Sequence, residues 1–562
     1  MTYRTNAQGA ARVRTIYSVA ALAALWACSS NSPDTGDSGA PPTGAGSSSS
    51  GASSSGSSGS ASAGSSSGSS SGASSSGGPS TGGSSSGDAG GSSSSSGSSS
   101  GGRGSSSSSG SSSGGRGSSS SSGSSSSGAG GADAGRSSSG GSSSGSTPDA
   151  GLSDGGPFDA GKTPGTAPAN AVVVDPGTYH QRVAGFGASS AWEGGYKNAT
   201  DPTDLFSTTG NGAGLSLFRV RIQPSPAGTT SNGEIQMALA AQKLGATVWA
   251  TPWTPPPADK SNDNTVEGTL TNPSAWAATL ASYVSTMKAA GINLYAVSAN
   301  NEPDANVTYE SCVYTGATMA TFVGTSLGPA LAPTGVKLMM PETQNWFGFA
   351  TFEPALEANA AAWAATQIVA THEYGGNPAA YPHIQAAGKE FWETEWFASG
   401  AEDATMTNGL VIANTIFQAM TVANMSAWHY WWFYPATADN GALWDMSTNT
   451  WAKRMWVMGN FSRWARPGYF RVDVAGTAPP ANVHVIGFQN PADGTLSIVV
   501  INGGGATTLP IFVKGASWPA SVVPWITDNT QNIGIGATIT LNAGSFMAPL
   551  TAQSVTTFVG LP

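Results

Sequence analysis

Two short stretches hold the carboxylates with the most chemical potential in this chain. In FWETEWFASG (391–400), Glu393 and Glu395 stand two residues apart among aromatic side chains, in a chain of which only 10% of residues are charged. In SANNEPD (298–304), Glu302 follows two asparagines at the end of an apolar run. If 391–395 is a strand, its period of two puts Glu393 and Glu395 on one face. Like charges and desolvation both oppose ionisation in such a place, so the pair is expensive as scaffolding. Two carboxyl groups facing each other across an opening can work on one carbon. One protonates a leaving oxygen while the other attacks or activates water, which is what glycoside hydrolysis requires. The plain alternative is a solvated glutamate pair on an edge strand.

The elements that must position these groups follow from periodicity. Strand-like runs lie at 183–187, 215–222, 247–251, 294–299, 336–340, 367–372, 390–395 and 427–432. Helical patterns separate most of them, at 231–244, 272–290, 315–330, 351–365 and 406–423, with 451–464 after the eighth. The links from strand one to two and from six to seven are less clearly helical. Eight strands alternating with helices predict an α/β fold, a (β/α)8 TIM barrel, expected at 168–465. From about Pro467 the pattern changes to FRVDV, VHVIGF, LSIVVIN, LPIFVKG, TITL and VTTFVG, broken by Gly, Pro and Asn turns. That predicts a β-sandwich side domain over 466–562. The run 171–175 has no barrel role and is expected to join this second sheet, with 170–177 contributing a strand.

The N-terminal part reads differently. Residues 1–28 carry Arg4, Arg12 and Arg14, then an apolar run over 16–27 that ends at Cys28. This is the layout of a secretion signal, too short for a spanning helix. Leu25-Trp26-Ala27-Cys28 resembles a bacterial lipoprotein cleavage box, which predicts a lipid anchor at Cys28; the bulky Trp26 departs from that box, and plain secretion is the alternative. Residues 29–167 are Ser/Gly repeats that cannot bury a core, hence an expected disordered tether to a secreted or outer-surface enzyme. Such a coil would average roughly 60 to 70 Å end to end. Strings such as Gly97-Ser98-Ser99-Ser100-Gly101 match a hydrolase nucleophile motif by composition alone, and 324–328 matches it inside a helical pattern.

Beyond Cys28 the only cysteine is Cys312, so no disulfide is expected in the folded part. A net charge of −10, a pI near 4.9 and the lack of a basic cluster argue against nucleic acid and anionic membrane surfaces. The five histidines lack metal-ligand spacing, so neither metal nor cofactor is expected, and a monomer is expected.

In a (β/α)8 barrel the site lies at the C-terminal ends of the strands. Glu302 closes strand four and Glu395 strand seven, across one opening. Trp192, Trp253, Trp431 and Trp432 also fall at strand ends, where aromatic rings can stack on the C–H faces of sugars.

The ordered set GFGASSAW (185–192), TPWTPPPADKSN (251–262), NNEP (300–303), YESC (309–312), THEYGG (371–376), WETEW (392–396) and WWFY (431–434) resembles glycoside hydrolase family 30, in its bacterial and fungal xylanase branches, over roughly 170–562. The resemblance implies a (β/α)8 barrel with a β-sandwich built from both ends, retention of configuration, Glu302 as acid/base and Glu395 as nucleophile. It also implies that Asn301 bonds the sugar 2-hydroxyl, that Arg219, His372 and Tyr374 line the −1 site, and that Tyr309 belongs to the binding site. The implied substrate is a β-linked plant polysaccharide, foremost xylan cut by endo action. Alternatives are a β-1,6-glucanase, an exo-acting β-xylosidase or xylobiohydrolase, and a non-catalytic carbohydrate-binding or structural surface protein.

Glu393 departs from the family pattern, which has an apolar residue there. It is expected one layer deeper, paired with Arg219 or Arg221, or else protonated, or turned away by a bulge. The bacterial branch reads glucuronic acid with an arginine shortly after the paired tryptophans of strand eight. Here 433–439 is FYPATAD and the next arginine is Arg454, so xylan cleavage without a glucuronic acid requirement is expected. Asp439 would repel an acidic substituent from the cleft. Lys260 is the nearby cation that could replace the arginine, although loop lysines are usually solvated.

Overall fold

The structure, a computed structural model, describes residues 165–515 and 518–561. The N-terminal signal-like run, Cys28 and nearly all of the Ser/Gly segment lie outside the described residues. Among the described residues no helix is long and apolar enough to cross a membrane.

Eight parallel strands close on themselves: Gly185–Ser189, Leu217–Ile222, Thr247–Pro252, Leu294–Ser298, Lys337–Thr343, Ile368–Thr371, Glu390–Glu393 and Ala427–Trp432, the last pairing with the first. They are called strands one to eight below. Their inward residues pack large against small: Trp249 and Trp392 lie among Ala296, Ala370, Ala427, Leu217, Met339 and Ile368. Two indoles fill a space that small residues on neighbouring strands leave open, which makes the barrel a solid core beneath its mouth.

The helices begin where side-chain caps allow. Ser231 accepts from the Glu234 N–H ahead of Asn232–Lys243, and Asn272 caps Pro273–Ala289 with proline in the first turn. The helix expected at 351–365 starts earlier, at Trp346, capped by Asn345. It breaks at Asn359, which caps a second helix, Ala360–Ala365. The 315–330 pattern contains a wide turn at Val323–Leu327. Here Gly324 and Gly328 allow close packing: a Cβ on them would meet the Ala362 backbone nitrogen at 3.0 Å and the Ala365 Cβ at 2.6 Å. The uncertain links hold short helices, Asp201–Phe206 and Pro382–Ala386.

A strand-rich second domain uses both flanks of the barrel sequence. Val172–Arg182 pairs antiparallel with Phe470–Gly476 and parallel with Thr507–Val513. Its own core includes Val172, Val174, Ile498, Val500, Ile511 and Phe558. Asn460, on the helix Lys453–Ser462, ties it to the barrel by donating to the Trp525 carbonyl (2.9 Å) and accepting from the Thr557 hydroxyl (2.6 Å).

One local expectation fails. Trp392 pairs with Ala427, yet the next contact between strands seven and eight joins Trp396 to Tyr430. Four steps on one strand therefore match three on the other, and the extra residue breaks the period of two. Trp392 faces the barrel interior, so Glu393 points outward to the helical shell, and beyond the bulge Glu395 returns to the mouth. The two glutamates do not share a face.

Candidate active site

Glu302 lies four residues past strand four and Glu342 near the end of strand five. Both have left-handed backbone, φ +44° and +58°, and the Glu302 N–H donates to the Glu342 carbonyl at 2.9 Å. Trp192 after strand one is left-handed too, φ +62°. Non-glycine residues adopt this conformation at a cost, and three of them follow or close strands one, four and five on the same rim.

Arg219, on strand two and fully buried, organises the carboxylates. It donates to Glu395 Oε2, to Asn301 Oδ1 (2.5 Å) and to Glu342 Oε1 (2.7 Å). Holding the Asn301 oxygen leaves its Nδ2 as the group offered to a ligand. Tyr374 donates to Glu395 Oε1 at 3.0 Å, so both oxygens of Glu395 have donors. On Glu302, Oε2 accepts from the Tyr309 hydroxyl, and Oε1 lies 3.3 Å from His372 Nδ1. One oxygen each of Glu302 and Glu395 and a nitrogen of His372 lie within 4.8 Å of one another.

Charge follows from these contacts. Burial opposes a proton on His372, but Glu395, Glu302 and Glu342 outweigh it and raise its pKa to about 10. Its Nε2 is 3.7 Å from Glu342 and 3.9 Å from Glu395, near enough for attraction through a low-dielectric site. Burial also pushes Glu342 up, yet Arg219 and His372 hold it below the usual carboxylate range. Thr251 gives Glu342 a further bond at 2.7 Å. Burial raises Glu395 most, against the pull of His372 and Arg219, with Glu302 repelling it. An imidazolium between three carboxylates uses its nitrogens as donors toward them. Glu353, Glu357 and His383 form a second donor set close enough for a metal, on the outer helices, where His383 already pairs with Glu353 at 2.7 Å.

The aromatic wall converges as well. Trp192 and Trp253 rings are 4.8 Å apart, Trp253 and Trp431 5.8 Å, and Trp192 and Trp431 6.3 Å. The Arg219 guanidinium lies over Trp253 and Trp431, and Arg221 over Trp192. Trp432 stacks behind Trp431 at 4.5 Å. Below lies a floor of Trp249, Trp392 and His429. Trp249 Nε1 donates to His429 Nε2 (3.0 Å), so His429 carries its proton on Nδ1 and gives it to the Glu393 carbonyl (2.8 Å). Burial keeps His429 neutral, its pKa lowered to about 3.

Glu302, Glu395, Asn301, Arg219, His372, Tyr309, Tyr374 and the tryptophans thus meet in one mouth. Three expectations are corrected. Neither Arg219 nor Arg221 pairs with Glu393: Arg219 is committed to the mouth, and Arg221 forks onto Glu310. Glu393 Oε2 instead accepts from the His429 backbone N–H at 2.6 Å, filling the gap the bulge leaves in the ladder. Lys260 is not solvated; it is 5% exposed and its Nζ donates to the Ser311 carbonyl at 2.5 Å. Nor is it the only cation near strand eight, because Lys197 sits 5.2 Å from the Tyr434 ring and 5.0 Å from Trp444. Sequence reasoning missed Glu342. The signal was present in Met340-Pro341-Glu342-Thr343, where an apolar strand ends on an acid at the catalytic face.

No family model matches the chain. Among solved structures, it is 32% identical to the glycoside hydrolase family 30 subfamily 8 xylanase Xyn30A from Clostridium acetobutylicum, with a TM-score of 0.63, over 70% of this chain and 100% of that one. It is likewise 32% identical to a family 30 endoxylanase from Clostridium papyrosolvens C71, with a TM-score of 0.60 and the same coverage. Over 409 residues it is 29% identical to the glucuronoxylanase XynC of Bacillus subtilis strain 168, covering 70% of this chain and 92% of that protein.

Proposed function

Because the chain belongs to glycoside hydrolase family 30, we propose that it is a retaining endo-β-1,4-xylanase in which Glu395 is the nucleophile and Glu302 the acid/base. The observation that carries retention is the approach of Glu302 and Glu395 oxygens to within 4.8 Å. Retaining enzymes hold their carboxyl groups about 5–5.5 Å apart, whereas inverting ones leave about 6.5–9.5 Å for a water. Glu395, aligned by Arg219 and Tyr374, attacks the anomeric carbon while Glu302 protonates the departing oxygen. Glu302 then takes a proton from the water that releases the sugar from Glu395. Asn301 Nδ2 is placed for the 2-hydroxyl, where a hydrogen bond strengthens as positive charge develops. Positively charged His372 holds the two carboxylates together without competing as a nucleophile.

Cleavage in this reading does not require glucuronic acid side groups. A bidentate guanidinium is the natural reader of a carboxylate. Arg454, the arginine that follows strand eight, is buried, with Nε donating to the Ala442 carbonyl and Nη1 to the Asp403 carbonyl and Asn440 inside the fold. Asp439 is folded into its own turn, accepting from Thr437 and Gly441. Reducing-sugar release from glucuronoxylan, linear xylan and arabinoxylan, with NMR of the first anomer formed, tests the proposal. Comparable rates and an initial β-anomer are expected. An initial α-anomer would refute retention, and strict dependence on glucuronic acid would direct attention to Lys197.

A further inference from the structure

Phe347 is 60% exposed, the most exposed phenylalanine or tryptophan among the described residues, and it stands at the barrel mouth. It is the second residue of the helix that follows strand five, and its neighbour Trp346 is buried. We propose that Phe347 is a stacking platform for the sugar on the leaving-group side of the scissile bond, which fits the enzyme to cut inside chains. This rests on the xylanase reading above and assigns the half of the cleft that reading leaves empty.

The order of strands around the ring gives the direction. The tryptophan wall follows strands one, three and eight, while Phe347 follows strand five, opposite strand one. Glu302 and Glu395, after strands four and seven, lie between. The sugar attacked by Glu395 must rest on Arg219, Asn301 and the tryptophans. The departing oxygen must reach Glu302, and beyond strand four the rim continues to strands five and six. A chain crossing both carboxylates therefore leaves over Phe347.

The ring is also held in register with the chemistry. The Trp346 N–H donates to the Gly375 carbonyl (2.9 Å), and the Gln344 N–H to Asp304 Oδ1 (2.8 Å), two residues past Glu302. Tyr374, bonded to Glu395, adjoins Gly375. A side chain at Gly375 or Gly376 would begin 3.6 Å from the Phe347 ring, so the two glycines leave it uncovered. A phenyl ring has no hydrogen-bonding group and selects a flat C–H face. A β-linked xylose unit, without a hydroxymethyl group at C5, offers such a face on either side.

The test compares xylohexaose and linear xylan with 4-nitrophenyl β-xylobioside, whose leaving group contains no sugar. In Phe347→Ala the ratio of kcat/KM on xylan to that on the aryl glycoside should fall about tenfold, and xylohexaose labelled at its reducing end should be cut nearer that end. Phe347→Trp should retain the native ratio and cutting pattern. An unchanged ratio in Phe347→Ala, or a loss in Phe347→Trp as large as in Phe347→Ala, overturns the platform while leaving the xylanase reading intact. If the unsubstituted enzyme releases nothing from xylan, both fail.

Discussion

Two groups of buried glutamates lie on opposite faces of the same stretch of barrel wall. Inside the mouth are Glu302, Glu342 and Glu395; outside, under the helices, are Glu373 and Glu393. Strand geometry makes them close neighbours, since Glu373 follows His372 and Glu393 precedes Glu395 by two. Their partners differ completely. The inner group surrounds two cations, Arg219 and His372, so that each of its three carboxyls has a cation beside it. The outer group has only neutral donors: Trp428 Nε1 to Glu373 (3.1 Å) and the His429 backbone to Glu393 (2.6 Å). Among the described residues, neither outer glutamate has a cationic group bonded to it. Burial raises Glu373 to about 7, and burial together with repulsion from Glu373 pushes Glu393 well above the carboxylate range. Burial alone does not decide whether a carboxyl is charged; the cation beside it does.

The largest effects should come from removing the reacting inner groups. Glu395→Gln is expected to abolish turnover on both xylan and activated aryl glycosides. Glu302→Gln should lower xylan cleavage by roughly 10²–10⁴-fold, the usual worth of a general acid, while sparing attack on an aryl glycoside with a good leaving group. Steady-state rates on the two substrates separate the roles, and equal losses in both variants would contradict the assignment.

Glu342→Gln breaks the inner balance without touching the proposed reacting atoms. Removing one charge from a buried pair typically costs about 3–5 kcal/mol, because the partner stays buried and uncompensated. Here Glu395 still neutralises Arg219, so the lower end is expected, measured by denaturant titration. Activity should fall as well, since Arg219 also aligns Glu395 and Asn301. A variant as stable and active as the parent would show that the two glutamates beside Arg219 are redundant.

The inner cluster also has a pH signature. The pKa of His372 in the folded state, about 10, exceeds the roughly 6.5 of an unfolded histidine. Its contribution to stability is therefore complete below about pH 6.5 and disappears as pH rises through 10. His372→Gln should lessen the fall of melting temperature across that window, measured by thermal melts at successive pH values.

What the sequence revealed about these two groups depends on how local each cause is. Glu302 and Glu395 were legible because barrel chemistry gathers at strand ends, and the apolar runs before them locate those ends. Glu342 obeys the same rule and was readable from its position after a strand-five run. The outward turn of Glu393 was one of the alternatives the sequence left open, and it could not be chosen there because it follows from a one-residue mismatch between strands seven and eight that only pairing reveals. Lys260 donates to the Ser311 carbonyl and Arg454 to the Ala442 and Asp403 carbonyls as well as to Asn440, and backbone groups leave no mark in residue types. The eight-strand alternation itself was clear, whereas helix limits shifted where Asn345 and Asn359 act as caps.

The smallest effect concerns the outer pair and tests whether it is neutral. A glutamate with a raised folded pKa contributes stability that is complete below its unfolded pKa, about 4.3, and is lost as pH rises through the folded value. With Glu373 near 7 and Glu393 well above its ordinary range, the parent should lose stability steadily from about pH 4.5 upward. Glu393→Gln keeps an oxygen for the His429 N–H and has no charge to bury. It should match the parent near pH 4.5 and exceed it by a margin that widens as pH rises toward 8, read by denaturant titration at each pH. Glu393→Met, the apolar type of the family, removes the same titration but also the acceptor, and leaves a buried N–H unpaired at about 1–3 kcal/mol. The two variants should therefore show parallel pH profiles, with methionine lower throughout. Activity should change little in Glu393→Gln, because the residue faces away from the mouth. A glutamine variant no more stable than the parent at pH 8 would mean that Glu393 is ionised in place, and the contrast between the two faces would collapse.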